Sequence, residues 1–292
     1  MQQPARPTFT VSVTALMIFQ VAALFARSML ELSLVDRGLE KTVAQDLSYL
    51  VVPPILLVLM FPYLNRCRVA LAELLSPADL TMRVIVLSVL LGLTLRMLFW
   101  CGLTLLIWLR AIGTSGPDFE AAAMIGFNCA PLPVIVLSLT VVAFLIPVIE
   151  ELINRGFILH ALLARGTGIS VLVSALLFAA MHTPSSYVLA FLIGLLLALQ
   201  MLNYRTLWAP IITHATYNAT TVLDWECFRI VWSPPASDPA LQMLAAVSAV
   251  VIPGGTCAAL YLVSKKAGRG KIDAPAALTS RLKRVCHPFD DV

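Results

Sequence analysis

Two adjacent carboxylates, Glu150 and Glu151, stand inside an apolar run, and Arg155 follows the second by four residues. Phe178 and His182 are also four apart, as are His214 and Asn218. Side chains at that spacing stack on one face of a helix, so each pair offers its groups in one direction. A carboxylate taken out of water has its pKa raised and can then act as a general base toward a water molecule. An arginine beside it holds a neighbouring carboxylate ionised through charge-assisted bonds. Histidine can orient the water, relay a proton or steady an oxyanion, and an asparagine amide supplies a neutral donor to that oxyanion. Glu, His, His and Asn together are the groups that amide hydrolysis uses.

The surroundings of these residues are apolar. The 292-residue chain is 60% hydrophobic and only 12% charged, with a mean hydropathy of +0.90. Soluble domains carry about 25% charged residues. Runs of roughly 17–25 apolar residues recur along the length, each long enough to cross a ~30 Å hydrocarbon core as a helix. Period-two alternation, which a closed barrel needs, is absent. Backbone groups in lipid must be satisfied internally, which leaves a helical bundle. The expected fold is therefore all-α, a polytopic membrane protein of about eight transmembrane helices in one domain over residues 1–264, followed by a basic tail over 265–292.

The spans expected from the apolar runs are 9–29, 47–64, 84–109, 132–164, 169–182, 187–202, 207–223 and 241–263. The first is read as a retained span rather than a removed signal peptide. The fourth is too long for one straight crossing and predicts a kink at Pro147 or a strong tilt. In this reading 14 of the 16 acids lie in connections or tails, leaving Glu150 and Glu151 alone within a span. Ionisable groups at bilayer depth are costly and by default mark a functional site. With the N-terminus inside, fourteen Lys and Arg fall on the inner side against five on the outer, with Arg96 mid-span. That bias places both termini in the cytoplasm. The seven basic residues after Val263 read as an anchor at anionic headgroups, not as a nucleic-acid site. Cys129 and Cys227 fall in loops on the same outer side, where a disulfide can join them. Arg96 pairs with a site glutamate, meets a lipid phosphate or braces the bundle.

Helix lengths say whether the polar groups can meet. Thirteen residues separate Glu151 from the turn at Ala164, and thirteen separate Ile169 from His182, ~20 Å of helix in each case. His214 lies ~11 Å above Leu207 on the same rule. The glutamates and His182 thus share one depth, with His214 somewhat shallower.

Taken in order, Glu150-Glu151-Leu-Ile-Asn-Arg155-Gly156, Ser174-Ala-Leu-Leu-Phe178-Ala-Ala-Met-His182, Phe191-Leu-Ile-Gly194 and Pro210-Ile-Ile-Thr-His214-Ala-Thr-Tyr-Asn218 resemble the CPBP family. These are the CAAX-prenyl-protease and bacteriocin-processing intramembrane proteases, also called type II CAAX endoproteases or Abi proteins. The resemblance covers residues 132–223. It implies a glutamate-dependent intramembrane peptidase whose cavity is reached from the cytosolic side. It further implies that Glu150 activates water with help from His182, that His214 and Asn218 bind the oxyanion, and that Glu151 and Arg155 support the site. Phe178 would pack against it, and Asn154 stands where the family often has an aromatic residue. The expected partners are the lipid bilayer and a peptide or lipid-anchored protein substrate, with no nucleic acid. The expected location is a plasma membrane, the inner membrane in a bacterium.

No cofactor is required by this reading. A divalent metal such as zinc, held by Glu150, His182 and His214, is the alternative, although no His-Glu-x-x-His motif occurs. Two other functions are weighed against hydrolysis. A non-catalytic immunity or scaffold protein of the same family would be favoured by a missing motif residue, and none is missing. A proton-coupled transporter would show inverted repeats with paired broken helices, and no matching half is present.

Overall fold

The computed structural model describes residues 13–66, 74–113, 124–127, 129–182, 186–231 and 237–264. Eight helices follow one another among these residues: α1 (Val13–Asp36), α2 (Lys41–Arg66), α3 (Met82–Gly113), α4 (Leu132–Leu162), α5 (Thr167–Ala180), α6 (Tyr187–Tyr204), α7 (Trp208–Cys227) and α8 (Pro239–Ser264). All but α5 and α7 are long and apolar enough to cross a membrane. The fold is an all-α polytopic membrane bundle, as the composition requires. The basic tail and the first twelve residues lie outside the described residues.

Several acids that the apolar runs left in connections are helical. Glu31 belongs to α1, Asp46 to α2 and Asp224 to α7, so the glutamate pair is not alone within the spans. Each carries its own partner. Arg27 reaches Glu31 at 3.4 Å and lies 4.3 Å from the centre of the Tyr49 ring. The Ser138 hydroxyl donates to buried Asp46. Arg96 Nε donates to Asp224 at 2.7 Å, and Trp100 Nε1 donates to the same oxygen at 3.0 Å. Of the roles open to Arg96, bracing is the one observed: it ties α3 to α7, away from the glutamates. Such pairing is what a charge in a low-dielectric bundle demands.

α1 and α2 form a hairpin closed at Gly38. Its φ of +89° is the left-handed conformation that side chains resist. Leu39 N donates back to Leu34 O and Gly38 N to Val35 O, which satisfies the carbonyls at the end of α1. On the opposite flank, α3 packs against both α7 and α8. Gly92 is where α3 approaches α7 closely. A Cβ there would stand 2.7 Å from the Thr213 carbonyl oxygen and 2.7 Å from Thr216 Cβ. Gly92→Ala should force the two helices apart and cost about 1–3 kcal/mol, read as a lower midpoint of thermal unfolding in detergent.

Two short strands were not anticipated from the sequence. β1 (Met124–Phe127) pairs antiparallel with β2 (Phe228–Val231), Phe127 opposite Phe228. Beside them Cys129 and Cys227 form a disulfide, and Ala130 N donates to Glu226 O at 2.7 Å. The start of α4 is thus fastened to the end of α7. The bond closes a loop of sequence separation 98, and disulfides typically stabilise by roughly 2–4 kcal/mol. Cys129 and Cys227 should resist alkylation until the unfolded protein is reduced, and Cys227→Ser should lower the unfolding midpoint.

Candidate active site

α4 carries the glutamates on an unusual backbone. Leu139–Leu145 and Leu152–Leu159 are π-helical, with i→i+5 bonding, and they flank an α-helical turn, Ile146–Glu151. Pro147, which cannot donate an N–H, falls just after the first wide segment. The helix runs through it for 31 residues, ~46 Å, well beyond the ~30 Å core. Wide turns inside α-helices recur at functional sites. Here their carbonyls are held by side chains. Asn154 Nδ2 donates to Glu150 O at 2.9 Å, Ser174 Oγ to Asn154 O at 3.2 Å, and Asn218 Nδ2 to Val142 O at 2.9 Å. His160 Nδ1 donates to the Arg155 carbonyl.

Glu151 and Arg155 form the buried centre, each with no solvent-accessible side-chain surface. Arg155 Nε lies 3.0 Å from Glu151 Oε2. Its Nη2 donates to Gly194 O of α6 at 3.2 Å, and its Cζ sits 4.4 Å from the centre of the Phe178 ring of α5. Gly194 allows this approach: a Cβ would stand 3.1 Å from Ala175 Cα and 3.2 Å from Phe178 Cδ1. The other Glu151 oxygen, Oε1, is 2.9 Å from His214 Nδ1 on α7. Because a carboxylate accepts, His214 carries hydrogen on Nδ1, and Glu151 fixes the ring's orientation.

Glu150 faces a different environment. Its side chain is 27% accessible, and Oε2 lies 4.0 Å from His214 Nε2. That oxygen has no hydrogen-bond partner among the described residues. His182 donates from Nδ1 to the Phe178 carbonyl at 2.8 Å, which leaves Nε2 as its free nitrogen. The ring centres of His182 and His214 lie 4.7 Å and 5.7 Å from that of Phe178. One phenyl ring therefore carries both imidazoles and the guanidinium.

Of the residues singled out in the sequence, Glu150, Glu151, Arg155, Phe178, His182 and His214 gather from α4, α5 and α7. α5 ends early enough to allow this. Its 14 residues make ~21 Å of helix, shorter than a ~30 Å hydrocarbon core. Asn218 is one turn from His214, but its amide nitrogen is engaged by Val142 O. Ser174, Gly194 and His160 were not singled out. Ser174 and Gly194 stand within the quoted motifs, and His160 is marked only by lying five residues after Arg155, one wide turn. Among the described residues no group of three His, Cys, Asp or Glu side chains could hold a metal ion. His214 Nδ1 is occupied by Glu151, and the set Glu150, His182 and His214 does not converge as ligands.

A carboxylate–imidazole site enclosed by membrane helices is the class this geometry defines. Residues 132–220 match the family described as Type II CAAX prenyl endopeptidase Rce1-like. The family resemblance carried by the motifs is thus matched by a family model over α4 to α7, and it is a similarity of that part of the chain. No curated protein and no solved structure gives a significant match.

Proposed function

We propose that the protein is an intramembrane endopeptidase that hydrolyses a peptide bond in a membrane-associated peptide or protein C-terminus, with Glu150 activating the water. The observation that carries this reading is the 4.0 Å gap between Glu150 Oε2 and His214 Nε2. That is too long for a direct hydrogen bond. A water bonded to both at about 2.8 Å would fit, with an angle of about 90° between its two contacts. Glu150 takes a proton from this water, and the resulting hydroxide adds to the scissile carbonyl. The oxyanion is met by His214 Nε2–H and by the second amide hydrogen of Asn218, the first being given to Val142 O. To donate from Nε2 while Nδ1 stays bonded to Glu151, His214 carries both ring protons, and the Glu151 carboxylate balances that charge. The proton held by Glu150, or relayed through His182 Nε2, passes to the leaving nitrogen. Arg155 touches no reacting atom in this scheme; it locks Glu151 and Phe178. No step runs through a metal.

The charge bias and the disulfide favour both termini in the cytoplasm of a plasma membrane, with Cys129 and Cys227 on the oxidising side. The test compares new peptide termini in membranes from cells expressing the wild type or Glu150→Gln at matched levels. Termini that depend on the wild type support the peptidase. An identical set in both refutes it.

A further inference from the structure

Asn154 is a polar side chain in an apolar bundle, 1% exposed, four residues after Glu150 and immediately before Arg155. Its Nδ2 donates to the Glu150 carbonyl at 2.9 Å. Its other amide atom, Oδ1, is buried and has no hydrogen-bond partner among the described residues. An unsatisfied buried acceptor costs more than one added hydrogen bond returns. Stability alone therefore favours a side chain without that oxygen here, and the resembling motif often carries an aromatic residue. A polar group kept against stability points to a task at the neighbouring site.

The bond acts on the backbone of the residue assigned as general base. α4 changes from α-helical to π-helical between Glu151 and Leu152, and a change of hydrogen-bond step leaves carbonyls at the junction in need of a donor. Asn154 supplies one to Glu150. Its own carbonyl accepts from Ser174 Oγ of α5 at 3.2 Å, and Ser174 is fully buried. Ser174 lies eight residues before His182, ~12 Å of helix, and Asn154 four after Glu150, ~6 Å. The run Ser174 to Asn154 to Glu150 thus sets the height of α5 and its histidine against the carboxylate. Glu150 depends on this more than its neighbour does. Glu151 is held by Arg155 and His214, whereas Glu150 Oε2 has no partner among the described residues, so its place is set by its backbone.

Resting on the peptidase reading, we propose that Asn154 is a positioning residue for the general base: its amide, with its carbonyl pinned by Ser174, holds the wide turn so that Glu150 Oε2 stays 4.0 Å from His214 Nε2, the gap that one water fills. Asn154 touches no reacting atom. A misplacement of about 1 Å at such a gap costs on the order of 10²-fold in rate.

The test compares Asn154→Ala with Asn154→Ser, which leave nearly the same space and differ by one hydroxyl. A serine hydroxyl in a helix can donate to the carbonyl four residues back. In membranes at matched expression, Asn154→Ala should form the wild-type-dependent termini about 10–100-fold more slowly, and Asn154→Ser should restore the rate to within about threefold. Both should unfold in detergent within about 3 °C of the wild type, because losing the orphaned Oδ1 offsets the lost bond. Asn154→Val and Asn154→Thr, equal in shape, repeat the comparison with more of the space filled. Combining Asn154→Ala with Glu150→Asp should slow the reaction by less than the product of the single effects, since both act through one geometry. Equal rates within both pairs, a full product in the combined variant, or loss of folding in all four single variants overturns the role. If Glu150→Gln still removes the termini, the peptidase stands and only the role of Asn154 falls. If Glu150→Gln leaves them, the peptidase falls and that role with it.

Discussion

Glu150→Gln is expected to lower product formation by about 10²–10⁴-fold, the contribution of a positioned general base. The change is isosteric and leaves the fold intact, because Glu150 makes no ion pair with Arg155 and its Oε2 is unpartnered among the described residues. The unfolding midpoint should therefore stay where it is while turnover collapses. Glu151→Gln should behave differently. Its carboxylate is wholly buried and joins Arg155 to His214, so both stability and turnover should fall. Measuring the two variants side by side separates a group that meets the water from a group that holds other groups in place.

Arg155→Ala is the substitution expected to cost the most stability, about 3–5 kcal/mol, the usual penalty for leaving one member of a buried ion pair uncompensated. Three contacts vanish together: the Glu151 carboxylate, the Gly194 carbonyl and the face of Phe178. Arg155→Lys keeps the charge but loses the planar fork and the stacking, so it should recover only part of that loss. The double variant Glu151→Gln, Arg155→Met removes both charges and should be more stable than Arg155→Ala. It should remain inactive, because His214 then loses the carboxylate that balances its second proton. Thermal unfolding in detergent, followed by circular dichroism, checks the order of the three.

Much of this arrangement was legible before any coordinates. Apolar runs placed eight helices, since each must bury its own backbone polar groups in lipid. Helix lengths alone brought Glu151 and His182 to one depth, and Cys129 and Cys227 fell on one side, which allowed a disulfide without requiring it. Other features left no periodic mark. Helix ends were drawn where hydropathy falls, yet α7 continues to Cys227 because Asp224 is neutralised by Arg96 from a helix 128 residues earlier in sequence. β1 and β2 are four residues each, and their pairing is a tertiary event that neither segment announces. The π-helical turns of α4 exist because side chains from α5 and α7 take up the carbonyls of Asn154 and Val142. No local pattern in 139–159 encodes those partners.

The central claim is that a water activated by Glu150 is the nucleophile. Membranes carrying the wild type, incubated in ¹⁸O-labelled water, should yield new C-terminal carboxyls bearing one ¹⁸O atom, and membranes carrying Glu150→Gln should not. Equal ¹⁸O-labelled termini from both, or wild-type-dependent termini without the label, would contradict it.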